Sequence, residues 1–288
     1  MGRADVSSAV SSLRSSLGEL PAAQAAYRCA VAGRMRAERW GLALDEALRV
    51  RTGLTRPRGT AVGRILAYHS IGTDRWGVND VRPADFERHL QIAVDEGWTF
   101  ATPAEVLAAP ERKQLAITFD DGATSVLDNA VPVLRHHGVP STMFAVSGWA
   151  DGGHDAGYAH VLDWAGLARL EASGVTLASH SASHPDFGRL TAAAAERELV
   201  ESRARLEAML GHEIDEFAIP FGQSANWTPE AGAVASRVYR TVYAQAVDTR
   251  PAGTVARTFI TRIDRPLIFR AALNGAFDNW EEWFLGPR

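Results

Sequence analysis

The sequence predicts an α/β fold, a distorted (β/α) barrel of about seven strands with an N-terminal helical extension, on three observations. From Gly63 onward, short apolar runs alternate with amphipathic segments, the signature of βα repeats around a mostly parallel sheet. Several of the amphipathic segments end in glycine where a left-handed cap is expected, at Gly97, Gly138, Gly174 and Gly211. Polar clusters follow the apolar runs at four places, as they do where the strand ends of a parallel barrel converge on one face.

The elements follow in chain order. Residues 1–60 read as a helical extension without a core of its own, because AAQAAYRCAVAGRMRAERWGLALDEALRVR is rich in Ala, Leu and Arg and is followed by Gly53 and Pro57. The barrel then occupies residues 61–288. Its expected strands are RILAYH (Arg64–His69), LAITF (Leu115–Phe119), STMFAV (Ser141–Val146), VTLAS (Val175–Ser179), EFAIP (Glu216–Pro220), RTVYAQ (Arg240–Gln245) and FITRI (Phe259–Ile263). Helices such as ADFERHLQIAVDEG, ATSVLDNAVPVLRHHG, WAGLARLEASG and TAAAAERELVESRARLEAMLG lie between them.

Composition narrows the class. The 288 residues are 46% hydrophobic, enough for a sizeable core that needs no structural metal, and the single Cys29 cannot form an internal disulfide. The net charge of −4 hides an asymmetry: residues 1–64 hold 11 Arg and 5 acidic residues, net +6, which leaves −10 on the remainder. That distribution is not one for a nucleic-acid partner. The basic segment is expected to form a solvated helix face on an acidic body, to touch an acidic partner or membrane surface, or to make a homo-oligomer contact through the N-terminal helices. No apolar stretch approaches the ~18 residues of a membrane span and no secretory leader is evident, so the expected location is cytoplasmic with no transmembrane segment.

The chemistry sits at the strand ends. His69 closes the first strand, Asp120-Asp121-Gly122 follow the second, His180 and His184 follow VTLAS, and Pro220-Phe221-Gly222 follow EFAIP. Two adjacent carboxylates after an apolar strand are costly without partners, and one of such a pair can hold a metal while the other acts as base. Asp-Gly is also a common turn, and two histidines four apart are also a common surface pair. Together they form a two-His, one-Asp set with open positions, the arrangement of a catalytic metal site suited to hydrolysis of an acyl bond.

TFDDG (Thr118–Gly122) and HSASH (His180–His184) resemble the first two motifs of the polysaccharide deacetylases, carbohydrate esterase family four, with its NodB-homology domain. The likeness extends to AYHSIG (Ala67–Gly72), FERHL with its trailing EGW, and ELVESRARLEAMLG followed by EFAIPFG. It implies a distorted (β/α) barrel and a metal-dependent hydrolase acting on carbon–nitrogen bonds. Asp121, His180 and His184 are implied as metal ligands, and Asp120 as the general base taking a proton from metal-bound water. One divalent ion is implied, zinc in the first place, with cobalt or another ion able to serve. A backbone N–H of the Pro220-Phe221-Gly222 turn, that of Phe221 in the simplest case, is implied as an oxyanion donor.

Two departures matter. The Arg that commonly precedes the third-motif Pro by two residues is replaced by Ala218, and no His follows His212 to serve as the late general acid. One candidate for the acid role is His69, which could equally be a core histidine; a water is the other proton source. Arg262, with Asp264 in TRIDRP, is expected to face the mouth, Arg262 as the charge partner of Asp120; a surface salt bridge is the other reading. Aromatics of the Gly148–Trp164 loop (Trp149, His154, Tyr158, Trp164) suit a sugar or a packed lid. The function expected is removal of an N-acetyl group from an amino sugar or sugar-bearing glycoconjugate. The alternatives are hydrolysis of a non-sugar C–N bond and a catalytically silent carbohydrate-binding barrel.

Overall fold

In the computed structural model the described residues are 21–53, 62–73, 76–152, 160–245 and 250–278, with side chains described from residue 33 onward. The chain runs α1 (Pro21–Thr52), β1 (Arg64–Tyr68), β2 (Ser70–Ile71), β3 (Asp80–Val81), α2 (Pro83–Asp95), β4 (Thr99–Phe100), α3 (Pro103–Ala108) and β5 (Gln114–Asp120). It continues through α4 (Val131–His137), β6 (Ser141–Ala145), α5 (Ser147–Ala150), α6 (Trp164–Ala172), β7 (Val175–Ser179), α7 (Ala192–Leu210) and β8 (Glu216–Ala218). The last elements are α8 (Pro229–Val238), β9 (Thr241–Ala244), β10 (Val255–Ala256), β11 (Thr258–Phe259) and α9 (Pro266–Leu273).

The main sheet is parallel, in the order β10-β9-β8-β7-β6-β5-β1-β11. Its two ends are one stretch of chain. β10 pairs with β9, β11 pairs with β1, and only Arg257 separates β10 from β11. Residues 255–259 thus close the barrel by passing from one edge to the other, with Arg257 donating its N–H to Ala244 O on the first side and Ile260 donating to Ala67 O on the second.

Period-two alternation divides the strand residues between two cores. Along β5, Leu115, Ile117 and Phe119 join the shell under the helices, whereas Ala116 faces a separate inner cluster with Ile65, Phe144, Ala178, Ala218 and Tyr243. Half of these positions are alanine, and Ile65 with two rings, Phe144 and Tyr243 at 5.3 Å, fills the remaining space. Thr118 and Asp120 share the inward parity of Ala116 and carry it up to the mouth.

Helix signals read from the sequence hold at the caps: Gly97, Gly138, Gly174 and Gly211 all have positive φ. The segment ATSVLDNAVPVLRHHG is not one regular helix. Residues Val126–Ala130 form a π turn before α4, where Pro132 has no N–H to give to the carbonyl of Asp128. The expected FITRI strand is also shorter, ending at Phe259, because the chain turns back there and Asp264 accepts from Thr261 N at 2.9 Å.

The N-terminal helix is part of the barrel wall. Met35, Arg39, Ala43 and Glu46 form its buried face, and it packs along α9. Arg39 is fully buried: Nε and Nη2 donate to the two Asp264 carboxylate oxygens at 2.7 and 2.6 Å, Nη2 also donates to Phe259 O at 3.1 Å, and the guanidinium lies over Phe277. Residues 1–20 and 54–60 of the expected extension lie outside the described residues.

Removing one member of a buried ion pair leaves the other charge uncompensated. Arg39→Met is therefore expected to cost about 3–5 kcal/mol in urea unfolding, and the double variant Arg39→Met/Asp264→Leu to recover part of that loss.

Candidate active site

The strand ends meet in one cleft lined by Ala67, His69, Asn79, Asp120, Asp121, His180, His184, Phe221, Gly222, Gln245, Arg257 and Phe259. The backbone that builds it is unusual. Among the described residues five non-glycine positions have positive φ, and four of them, Asp121, Ser181, His184 and Phe221, lie here. Such conformations cost about 1–3 kcal/mol each and persist where their surroundings hold them. For the histidine loop the supports are visible: Glu198 on α7 accepts from Ala182 N, Ser183 N and Ser183 Oγ, and Ser181 Oγ accepts from His184 N at 2.9 Å. Gly148 donates to Ala182 O at 2.8 Å, and a Cβ on Gly148 would sit 2.5 Å from that oxygen, so only glycine allows the approach.

The two adjacent aspartates turn to different partners. Asp121 Oδ1 lies 3.4 Å from His180 Nε2 and 3.3 Å from His184 Nε2, and the ligand-type atoms of the three residues all fall within 4.8 Å of one another. His180 Nδ1 is 2.8 Å from Ala218 O, which makes it the donor and leaves Nε2 to face the aspartate. Asp121 Oδ1 is buried without a hydrogen-bond partner. A buried acceptor left open beside two imidazoles whose Nε2 atoms face it fits a divalent cation, and one carboxylate with two imidazoles is a donor set for zinc and related ions. Burial pushes His184 down to about 4, only partly opposed by Asp121, so this imidazole is neutral and able to act as a ligand. Burial acts against ionisation of Asp121 too, but His184 and His180 outweigh it and hold the carboxyl well below its usual range.

Asp120 is clamped by Arg257, with Nη1 to Oδ1 and Nη2 to Oδ2 both at 2.7 Å. Arg257 also donates to Thr118 Oγ1 at 3.1 Å and lies over the Phe144 ring. Burial raises the Asp120 carboxyl, yet Arg257, with His180, more than compensates and keeps it ionised.

The expected partner, Arg262, does not do this: it is half-buried, with Nη1 3.4 Å from Gly77 O. Asp264 does not reach the mouth either, since both its oxygens are held by Arg39 behind the wall. Both misplacements follow from the strand ending at Phe259, after which the side-chain alternation no longer applies. Arg257 was overlooked in VARTFI, where it shares inward parity with Val255 and Phe259.

His69 is in the cleft, its Nε2 4.0 Å from Asp121 Oδ2 and its ring edge-on to Phe259 at 5.0 Å. Its Nδ1 has no hydrogen-bond partner, and burial lowers its basicity. Phe221 lines the cleft with its ring against His184 at 4.7 Å, while Pro220 is buried beneath and does not line it. Trp149 packs on the other side of His184 at 5.3 Å. Trp164 donates to Asp151 at the start of α6; His154 and Tyr158 lie outside the described residues.

The sequence profile of the family described as polysaccharide deacetylase matches residues 108–239. The candidate polysaccharide deacetylase YxkH of Bacillus subtilis (strain 168) is 28% identical over 195 residues, 65% of this chain and 64% of that relative, so the chain spans just under two thirds of its length. Among solved structures, the Streptococcus pyogenes deacetylase PplD in complex with acetate superposes with a TM-score of 0.62 at 22% identity, over 73% of this chain and 97% of that one. IcaB from Ammonifex degensii does so at 0.61 and 23% identity, over 75% and 98%. These structural likenesses concern the fold. The profile match contains Asp120, Asp121, His180, His184 and Phe221, whereas His69 and Arg257 come from the strands on either side of the closure. The chain is thus similar to the polysaccharide deacetylase family over residues 108–239, and shares the fold of these solved structures over about three quarters of its length.

Proposed function

We propose that the protein is a metal-dependent N-deacetylase that hydrolyses the acetamide of an amino sugar or sugar-bearing glycoconjugate. The observation that carries this reading is the split between neighbouring carboxylates: Asp120 is saturated by Arg257, and Asp121 is turned to two histidines with an oxygen left open. Asp121, His180 and His184 would hold one divalent ion, zinc by the chemistry of the donor set. Bound there, the ion supplies a water of lowered pKa and polarises the acyl carbonyl.

The protein's own groups do the rest. Asp120, kept ionised by Arg257, accepts the proton of the attacking water, and the bidentate clamp fixes its direction. Arg257 so does, from the closing strand, what an arginine at position 218 does in relatives that have one. Ala218 faces the same lumen and leaves space for it. His69 stands on the far side of Asp121 and protonates the departing amine, which is too basic to leave as an anion. The turn at Phe221 offers its backbone N–H to the developing oxyanion, and its ring flanks the substrate. Support for a sugar substrate comes from the likeness to polysaccharide deacetylases, and the polar cleft-lining side chains of Asn79 and Gln245 agree with it.

Three outcomes are expected. Elemental analysis should find about one divalent ion per chain, lost in His184→Ala and retained in Asp120→Asn. Acetate release from N-acetylglucosamine oligomers should fall about 10²–10⁴-fold in Asp120→Asn, and unchanged release would sink the assignment. His69→Gln should lose about 10²-fold on the acetamide but little on 4-nitrophenyl acetate, whose leaving group needs no proton. An equal loss on both substrates would remove His69 from the acid role.

A further inference from the structure

We propose that the outward face of α1 is a docking surface for an anionic lipid bilayer. Of the large hydrophobic side chains exposed among the described residues, half lie on this one helix: Trp40, Leu44, Leu48 and Val50, at 36%, 57%, 61% and 63%. Trp40, Leu44 and Leu48 recur every fourth residue and so form a single stripe, on the side away from buried Met35, Arg39, Ala43 and Glu46. Arg36 lies one turn before the stripe and Arg51 one turn after it, both exposed. The small residues Gly33, Ala37 and Gly41 on the same side leave the stripe flat.

The charge on this face has one sign. Glu38 and Asp45 lie on the flank, tied to Arg34 and Arg49 at 2.8 and 2.7 Å, so the cations outside these pairs are Arg36 and Arg51. The segment up to Arg64 carries +6 against −10 for the rest of the chain. A helix with Trp and Leu on one face, arginines at its margins and a fixed orientation is built to lie in the headgroup layer, its apolar side chains about 5–10 Å deep and its guanidinium groups on lipid phosphates. A second copy of this chain fits less well, because self-pairing across the stripe brings Arg36 and Arg51 together with no carboxylate between them. The stripe cannot be hidden by a roll of the helix, since Arg39 is locked to Asp264 on the opposite side.

The test is co-sedimentation of the full chain with vesicles of phosphatidylcholine and phosphatidylglycerol in equal parts, beside vesicles of phosphatidylcholine alone, at low and high salt. The wild type is expected to pellet with the anionic vesicles only, and less at high salt. The variant Trp40→Ser/Leu44→Ser/Leu48→Ser should bind about tenfold more weakly, and Arg36→Gln/Arg51→Gln about fivefold per arginine, each with the wild-type melting midpoint. Failure of the wild type to pellet, equal binding to neutral vesicles, or undiminished binding by the triple variant would each overturn the proposal. A wild-type dimer that the triple variant converts to monomer, without vesicle binding, would assign the face to a second copy instead.

Discussion

Two ionised carboxylates stand side by side at the end of a strand that is buried from Leu115 onward, and the rest of the site is arranged around that electrostatic cost. A shared partner could not serve both, because neighbouring side chains in extended backbone point to opposite sides and the chain has to turn after Asp120 for Asp121 to reach the cleft at all. The left-handed turn at Asp121 and Gly122 supplies that reversal. Each carboxylate then has its own counter-charge: a guanidinium from the closing strand for Asp120, two imidazoles from the loop after β7 for Asp121. Two electrostatic environments one residue apart are what the proposed division of roles, one carboxylate as base and its neighbour as ligand, requires.

The strained backbone is supported by elements outside the cleft. Glu198, exposed to no chemistry, gathers three donors of the histidine loop from α7, and Gly148 lets α5 press on the same loop from the other side. The imidazoles are thereby placed by packing alone, which would limit the reorganisation needed to hold the proposed ion. A similar arrangement holds the opposite wall. Arg39 reaches from α1 to Phe259 O, and the Phe259 ring faces His69, so the N-terminal helix bears on the geometry of the mouth through a single intervening residue.

Much of this could be read from residue order. The barrel class, the glycine caps and the convergence of DDG, HSASH and His69 follow from local patterns: period-two apolar runs, cap chemistry and polar residues at strand ends. Arg257 could not be read so readily. Its strand pairs for only two residues on each side, too short for a periodic signal, and the stretch FITRI after it has a stronger apolar pattern that breaks off in a turn. Asp264 was misplaced for a related reason: its partner, Arg39, lies 225 residues earlier and in a helix whose sequence gives no sign of a buried charge. Long-range charge pairing is a property of the assembled fold, and spacing along the chain carries no record of it.

The closure by residues 255–259 has a consequence for how the molecule fails. The side chains proposed to hold an ion, Asp121, His180 and His184, follow β5 and β7 in the contiguous body of the sheet, whereas Arg257, which holds Asp120, rides on the clasp between its two free edges. If the clasp springs, the Asp121, His180 and His184 cluster survives and Asp120 loses its guanidinium partner. On the proposed reading an opened barrel would hold an ion without turnover, and turnover would be coupled to topological closure and not to metal loading alone.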